Sequence, residues 1–368
     1  MKQARVKFVP TEKTRFASVL RSRVEAYFTE NNISTYGNRT LAIKSIVLLS
    51  GYVLPFVAML VFLPGPWISL SLFALMGFAK AGVGMSVMHD ANHGSFSKSK
   101  HVNWWMSHVL NGLGGSTHNW RLQHNILHHT YTNIDKMDDD IQDRVLMKFS
   151  PHSQTKWYHK YQWIFSFFFY GLLTVYWVLA KDLVQYRSYS ARGIHGKSKH
   201  QNVWWLVRLT LVKIIYLFVF IALPILLGMH WGLVVGGFML MHFIAGLVLT
   251  VTFQLAHTLE ETSHPLPNLD GIIDNDWAIH QMATTVNFAP HNKLLSWYMG
   301  GLNYQVEHHL FARISHVHYP KIAPIVRQTA AEFGVPYLEN PTLGSAINSH
   351  IRYLKTIGKL PDLNEALG

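Results

Sequence analysis

The sequence predicts an all-α integral membrane protein in which four transmembrane helices carry interfacial helices and a cytosolic helical cap, the cap holding a histidine-rich metal site. Three observations predict it. Of 368 residues, 49% are hydrophobic and only 14% charged, against about a quarter charged in soluble proteins. Four apolar runs, 42–63, 67–88, 204–227 and 232–256, approach the ~20 residues that cross a bilayer. Among them stand three histidine clusters: His89-Asp-Ala-Asn-His93, His124-Asn-Ile-Leu-His128-His129 and Gln305-Val-Glu-His308-His309.

Taken in order, residues 1–41 hold Lys2, Arg5, Lys7, Lys13, Arg15, Arg21 and Arg23 but no apolar core. They read as a cytosolic N-terminal segment without a cleavable signal peptide, leaving the spans as their own insertion signal. Pro64-Gly-Pro66 joins the first two runs and Gly228-Met-His-Trp231 the last two; both links allow only hairpins. The first cluster lies where the second run ends, at Met88-His89. The stretch 102–113 is too short to cross, and Asn111-Gly-Leu-Gly-Gly115 leads from it into the second cluster. The apolar stretch 161–180 is ambiguous by composition. If it crossed, the third cluster would lie opposite the other two, so it is assigned to the interface. Arg187, Arg192, Lys197 and Lys199, and the tail from Arg313 onward, then share the N-terminal side, as the positive-inside rule requires. The domain reading is a membrane domain over 42–330 and a cytosolic C-terminal tail over 331–368.

Composition excludes several chemistries. There is no cysteine, hence no disulfide, thiolate-bound haem or cysteine-ligated iron–sulfur cluster within the chain. Gly82-Val-Gly84 lacks the third glycine of a phosphate-cradling loop and sits in an apolar run. The net charge of +12 is accounted for by orientation and by attraction to lipid headgroups, leaving no role for nucleic acid. No internal repeat or low-complexity tract is present.

Helical residues four apart share a face, so His89 with His93, His124 with His128, and Gln305 with His309 can each address one spot, while His129 and His308 reach a second. Neutral imidazole suits iron, copper, zinc or nickel, and this many ligands imply more than one ion. Isolated histidines such as His101, His152, His159, His195, His200 and His350 read as ordinary surface or interfacial residues.

The order HxxxH, HxxxHH, QxxHH resembles the membrane fatty acid desaturase family, and Gln305 in the third box resembles its front-end subgroup. Leu302-Asn-Tyr-Gln-Val-Glu-His-His-Leu-Phe311, His318-Tyr-Pro-Lys-Ile-Ala-Pro324, and Gln281 with Thr284, Thr285 and Asn287 extend the resemblance over roughly residues 40 to 330. Ala312 departs from it, standing where the family usually has proline. The resemblance implies a di-iron site in the cap, ligated by His89, His93, His124, His128, His129, His308 and His309. A histidine at the position of His257, the cytosolic end of the fourth span, would complete the shell. The amide oxygen of Gln305 can bind iron weakly, hold a bound water or orient an imidazole, and Gln305 reads as a cofactor-binding residue that acts through water or from behind the ligands. It implies dioxygen as co-substrate and a fatty acyl substrate, acyl-CoA or phospholipid-linked, from which two adjacent methylenes lose hydrogen to give a cis double bond. No His-Pro-Gly-Gly haem segment is present, so electrons are expected from a separate donor such as ferredoxin or cytochrome b5. The membrane would be a bacterial inner membrane or the endoplasmic reticulum.

Other residues carry expectations of their own. Imidazole ligands donate their second nitrogen to an acceptor; Asp90, Asp138, Asp139, Asp140, Glu260, Glu261 and Glu307 lie nearby, yet each taken singly reads as a solvated loop carboxylate. His318 and Asn287 are candidates to support the shell. Charges within spans call for a functional hypothesis: Lys80 and Lys213 are candidates to contact an acyl carboxyl or headgroup phosphate, Arg208 snorkels, and His242 is structural. The aromatics of Phe167–Tyr170 and Trp204-Trp205 read as an interfacial belt. Two rival functions remain. The same histidine framework supports hydroxylases and epoxygenases, and a histidine-rich metal transporter is the non-catalytic alternative, although transporters place ligands at mid-membrane.

Overall fold

A computed structural model describes residues 6–10, 14–141, 146–195 and 198–361; Lys2, Arg5, Lys13 and Lys197 lie outside them. Among the described residues four single helices are long and apolar enough to cross a membrane: Arg39–Phe62, Pro66–His93, His200–Leu226 and Trp231–His257. They are the four expected runs with polar ends added. Asn38 starts the first by accepting from the backbone N–H groups of Thr40 and Leu41, which otherwise lack partners at a helix start. Leu63 turns left-handed, φ 43°, and Pro66 opens the second span, where its missing N–H costs nothing. The other hairpin turns on Gly228, φ +104°, and the His230 side chain caps the fourth span.

The second and fourth spans are 61% and 44% buried over their most apolar windows, the first and third only 33% and 28%. The central pair is therefore the second and fourth, and the others turn apolar faces outward, with Ile46 66%, Leu54 63% and Ile215 59% exposed. Close approach of the central pair depends on Gly77, where a Cβ would lie 2.7 Å from the Met241 carbonyl oxygen. Since the first cluster ends the second span and His257 ends the fourth, this packing sets these histidines side by side.

The stretch 161–180 forms two helices, Gln162–Gly171 and Leu173–Ala191, bent by 54°. At 1.5 Å per residue the first limb covers roughly 15 Å, about half of a ~30 Å hydrocarbon core. The pair packs on the fourth span, where Gly246 leaves room for the Gly171 carbonyl.

Helix Phe16–Glu30 presents Phe16, Leu20, Val24 and Phe28, one helical stripe, to Ile322, Val326 and Ala330 of helix Tyr319–Glu332. Two short parallel strand pairs tie the cap together, Lys7–Phe8 with Ile272–Ile273 and Asn287–Phe288 with Glu339–Asn340. Helix Leu343–Ile357, opened by a Thr342/Ser345 capping box, packs Leu354 and Ile357 near Tyr170 of the bent pair. The N-terminal and C-terminal segments thus both close over the spans.

Candidate metal centre

Both helices bearing the first two clusters leave α geometry beside them. Val83–Met88 and Arg121–His128 are π-helical, a distortion frequent at functional sites. All seven box histidines and His257 converge. Ligand atoms of His89, His93, His124 and His308 lie within 4.8 Å of one another; so do those of His128, His257 and His309, and those of His129, His308 and His309. The groups define two adjacent candidate ion positions, with His129, His308 and His309 along their border. His124 and His128 stack their rings at 5.1 Å and form a further group with Asp140, while His124 also joins the first of these groups and His128 the second, so the widened helix borders both.

The outer ring nitrogens explain the inward aim. His128 Nδ1 donates to Asp138 (2.9 Å) and His124 Nδ1 to Asp140 (3.0 Å). His309 Nδ1 donates to Gln281 Oε1 (2.7 Å), His308 Nδ1 meets the Tyr319 hydroxyl (3.2 Å), and His257 Nδ1 donates to the Thr284 carbonyl (3.2 Å). Each of these five rings therefore turns Nε2 to the interior. There the Nε2 atoms of His93, His128 and His308, and Gln305 Oε1, are buried without a hydrogen-bond partner. Each such atom costs about 1–3 kcal/mol; several aimed at one space fit a metal-donor set. Burial, reinforced by neighbouring imidazoles, holds His124, His129, His308 and His309 well below the ordinary histidine pKa, so they present the neutral lone pair a metal needs. Burial also opposes protonation of His128, but Asp138 and Asp140 outweigh it and raise its pKa.

Gln305 places its amide 2.9 Å from His257 Nε2 and 3.3 Å from His309 Nε2. Its oxygen and nitrogen are interchangeable by a flip of the amide, so either can face the second candidate ion position.

The carboxylates depart from the solvated-loop expectation. Asp90, Asp138 and Glu307 are fully buried. Asp90 accepts from Ser315 Oγ (2.7 Å) and lies 2.9 Å from His316 Nδ1, tying the first cluster to the cap. Glu307 accepts from Asn287 Nδ2 (2.8 Å) and the Tyr337 hydroxyl (2.9 Å); burial raises its pKa to about 7. Asn287 also accepts from Val306 N–H (2.9 Å), so it fixes the third box as expected. Asp139 pairs with Arg192, Glu260 with Arg352, and Glu261 accepts from Ser349; none of the three holds a box histidine. His318 bonds the Tyr36 carbonyl (3.0 Å) and so anchors the N-terminal segment instead of the shell. Tyr319 was not singled out by sequence, nor was Trp120, which stacks on His124 at 4.4 Å.

A cavity of about 680 Å³ opens beside the first ion position, lined there by His89, Trp120, Gln123 and Asp140. It runs between Met85, Met88, Leu110, Leu113, Trp177 and Phe253, reaches Lys80 and Thr174 in depth, and is bordered by Val184, Gln185 and Ser188 of the bent pair. Phe169 and Tyr170 line it, correcting their assignment to the belt; Trp204 is 64% exposed and fits the belt. Lys213 is bound to Asp182 and to the carbonyls of Gly114 and Trp177, which replaces the expected lipid contact with an internal one.

A family model described as fatty acid desaturase matches residues 37–341. The chain is 37% identical to the sn-1 linoleoyl-lipid 6-desaturase of Arthrospira platensis, covering 94% of each chain. It is 34% identical to the acyl-lipid (8-3)-desaturase of Physcomitrium patens, over 97% of this chain and 74% of that one. With the sn-1 linoleoyl-lipid 6-desaturase of Synechocystis the identity is 33%, over 96% and 98%.

Proposed function

The chain belongs to the fatty acid desaturase family, and we propose that it is a front-end acyl desaturase whose eight histidines hold two irons. The observation that carries the reading is the convergence of His89, His93, His124 and His308 and of His128, His257 and His309 at the wall of a long apolar cavity. Bound irons, with dioxygen and two external electrons, supply the oxidising power that removes hydrogen from an acyl chain.

The residues supply position. Methylenes are nearly identical, so the pair that reacts is the pair the cavity sets beside the site. Met85, Met88, Leu110, Leu113 and Phe253 exclude water and confine the chain, while Trp120 holds both His124 and the cavity wall. Asp138, Asp140 and Gln281 keep the imidazoles in the tautomer whose Nε2 faces inward. The polar rim of Gln185, Ser188 and Lys181 suits the head of an acyl-CoA or acyl-lipid. Electrons come from a separate protein such as ferredoxin or cytochrome b5.

Supplying linoleic acid to cells expressing the protein is expected to yield a new double bond between the existing ones and the carboxyl end, of delta-5 or delta-6 type. Insertion on the methyl side, or preferred desaturation of saturated chains, would overturn the front-end assignment. Formation of hydroxy or epoxy acids would replace desaturation itself.

We further propose that both termini, the three boxes and the bent pair lie on the cytosolic face. The exposed positions Gln154 and Ser198 flank the bent pair, and the chain has no native cysteine. Single cysteines introduced there are expected to label from the same side; labelling from opposite sides would make the bent pair a fifth span.

A further inference from the structure

A smaller cavity, away from the acyl cavity, is polar. It measures about 60 Å³ and is lined by His108 and Asn111 of helix Lys100–Gly112, by Ser116 and Thr117 of the segment that leads into the second box, and by Arg208 of the third span. Past Arg208 it continues into a groove of about 640 Å³ along that span. Trp204, Leu211 and Ile215 face the groove and are 64%, 50% and 56% exposed. Among the described residues none lines both this pair of hollows and the acyl cavity.

The polar cavity is built of donors. Asn111 Oδ1 accepts from the Thr117 N–H (3.3 Å), which turns the amide nitrogen the other way, and that nitrogen bonds no described residue. The Ser116 hydroxyl accepts from the Asn119 N–H (3.3 Å), and its own proton is equally unused. Arg208 is exposed and makes no hydrogen bond or ion pair among the described residues. Arg121 differs, bonding Asn92 and Ser107, as does Arg192 with Asp139. No carboxylate lines the cavity. Burial lowers the pKa of His108; its bond to the Trp104 carbonyl opposes this, and Arg208 and Arg121 add to it, which marks the same surplus of positive charge. A guanidinium keeps its charge in any protein setting. The missing partner is an anion rich in acceptors.

We infer that this cavity binds the phosphate of an anionic phospholipid, with Arg208 as the charged fork and Asn111 and Ser116 as flanking donors, while the lipid's acyl chain lies along the groove of Trp204, Leu211 and Ile215. The depth fits. Arg208 stands eight residues into the third span, roughly 12 Å from its start at 1.5 Å per residue. Side chains on a helix lean toward its N-terminus, here the side of the boxes, so a long arginine one turn below Trp204 reaches up to the headgroup plane. Guanidinium matches phosphate with two parallel hydrogen bonds. A head whose phosphate is already balanced by a choline brings no net charge to a cavity that lacks an acid, so an anionic head is favoured. The bound lipid ties the third span to the segment carrying the second box.

The test titrates the purified protein, in detergent micelles, with phosphatidylglycerol and counts retained lipid by native mass spectrometry. Wild type is expected to hold a single phosphatidylglycerol, and phosphatidylcholine far more weakly. Arg208→Gln is expected to weaken binding about 10- to 100-fold, the size of lost hydrogen bonds between charged groups. Asn111→Asp keeps the acceptor for Thr117 but sets a carboxylate against the phosphate, and is expected to weaken binding as much; it decides if Arg208→Gln fails to fold. Arg187→Gln removes the same charge from an exposed position on the bent pair and should bind as wild type does. Equal loss in Arg187→Gln and Arg208→Gln would mean diffuse attraction in place of a site. Wild-type binding by Arg208→Gln or by Asn111→Asp also overturns the proposal. Displacement of the lipid by equimolar inorganic phosphate or oleate would overturn the choice of ligand, in favour of a free anion or a free fatty acid.

Discussion

A His308→Ala protein is expected to carry about one iron in place of two and to show no measurable desaturation. His308 Nε2 is buried without a partner, and its ring lies 4.5 Å from that of His89 and 4.7 Å from that of His129, so it stands in reach of both candidate ion positions. Its loss removes one of four donors at the first position and one of those on the border. The stability consequence separates a ligand from a packing residue. Without metal, the orphaned nitrogen and its crowded neighbours cost stability, about 1–3 kcal/mol for the unpaired atom. Removing it offsets part of the cavity left by the ring. The metal-free variant should therefore unfold at nearly the wild-type temperature while the metal-loaded forms diverge. His318→Gln is the matched control, a histidine of the same cap whose nitrogen already bonds the Tyr36 carbonyl; it is expected to keep two irons. Metal content by elemental analysis and calorimetry of both forms check this. Two irons per chain in an active His308→Ala protein would sink the ligand assignment.

The spans and the boxes were legible because each is written in local spacing. Twenty apolar residues can hardly be anything but a crossing, and histidines four apart point the same way on any helix. His257 was legible only through the resemblance, since a lone histidine at a span end has no local signature. What the sequence concealed depends on distant pairing. Asp138 stands ten residues from His128 across a turn whose Asn133 and Lys136 adopt positive φ, and nothing in the spacing says that this turn folds back. The Asp138-Asp-Asp140 run beside a histidine box is the one cue that pointed there. Tyr319, Gln281 and Thr284 reach the site from elements whose contacts form only when the cap closes. The π-helical stretches were equally hidden, because a helix periodicity of four residues is shared by the α form. Lys80 and Lys213 look alike in sequence, both lone cations in apolar runs. They differ only because Asp182 of the bent pair reaches one of them.

Asp138→Asn is expected to lower iron occupancy at the second position and activity by about 10- to 100-fold, the range found when an outer partner of a metal ligand is lost. Asp138 is 1% exposed and its carboxylate serves three donors: His128 Nδ1 at 2.9 Å, Asn133 N–H at 3.0 Å and Asp140 N–H at 2.9 Å. An amide has one acceptor oxygen and places an N–H against at least one of those donors. Either His128 loses its tether and turns, or the 133–140 turn opens. In both cases Nε2 leaves its aim at His257 and His309. Loss of the charge adds to this, because Asp138 makes the His128 ring a stronger donor to a metal. Asp140→Asn should do less: its side chain is 17% exposed, water can replace a lost partner, and it holds His124, whose group keeps three further imidazoles. The order of effect, Asp138 over Asp140, is the discriminating result. Spectroscopy of iron-loaded protein should show the second ion depleted first in Asp138→Asn. Equal losses in the two variants, or a loss confined to the first position, would mean that the carboxylates stabilise the turn without orienting the ligands.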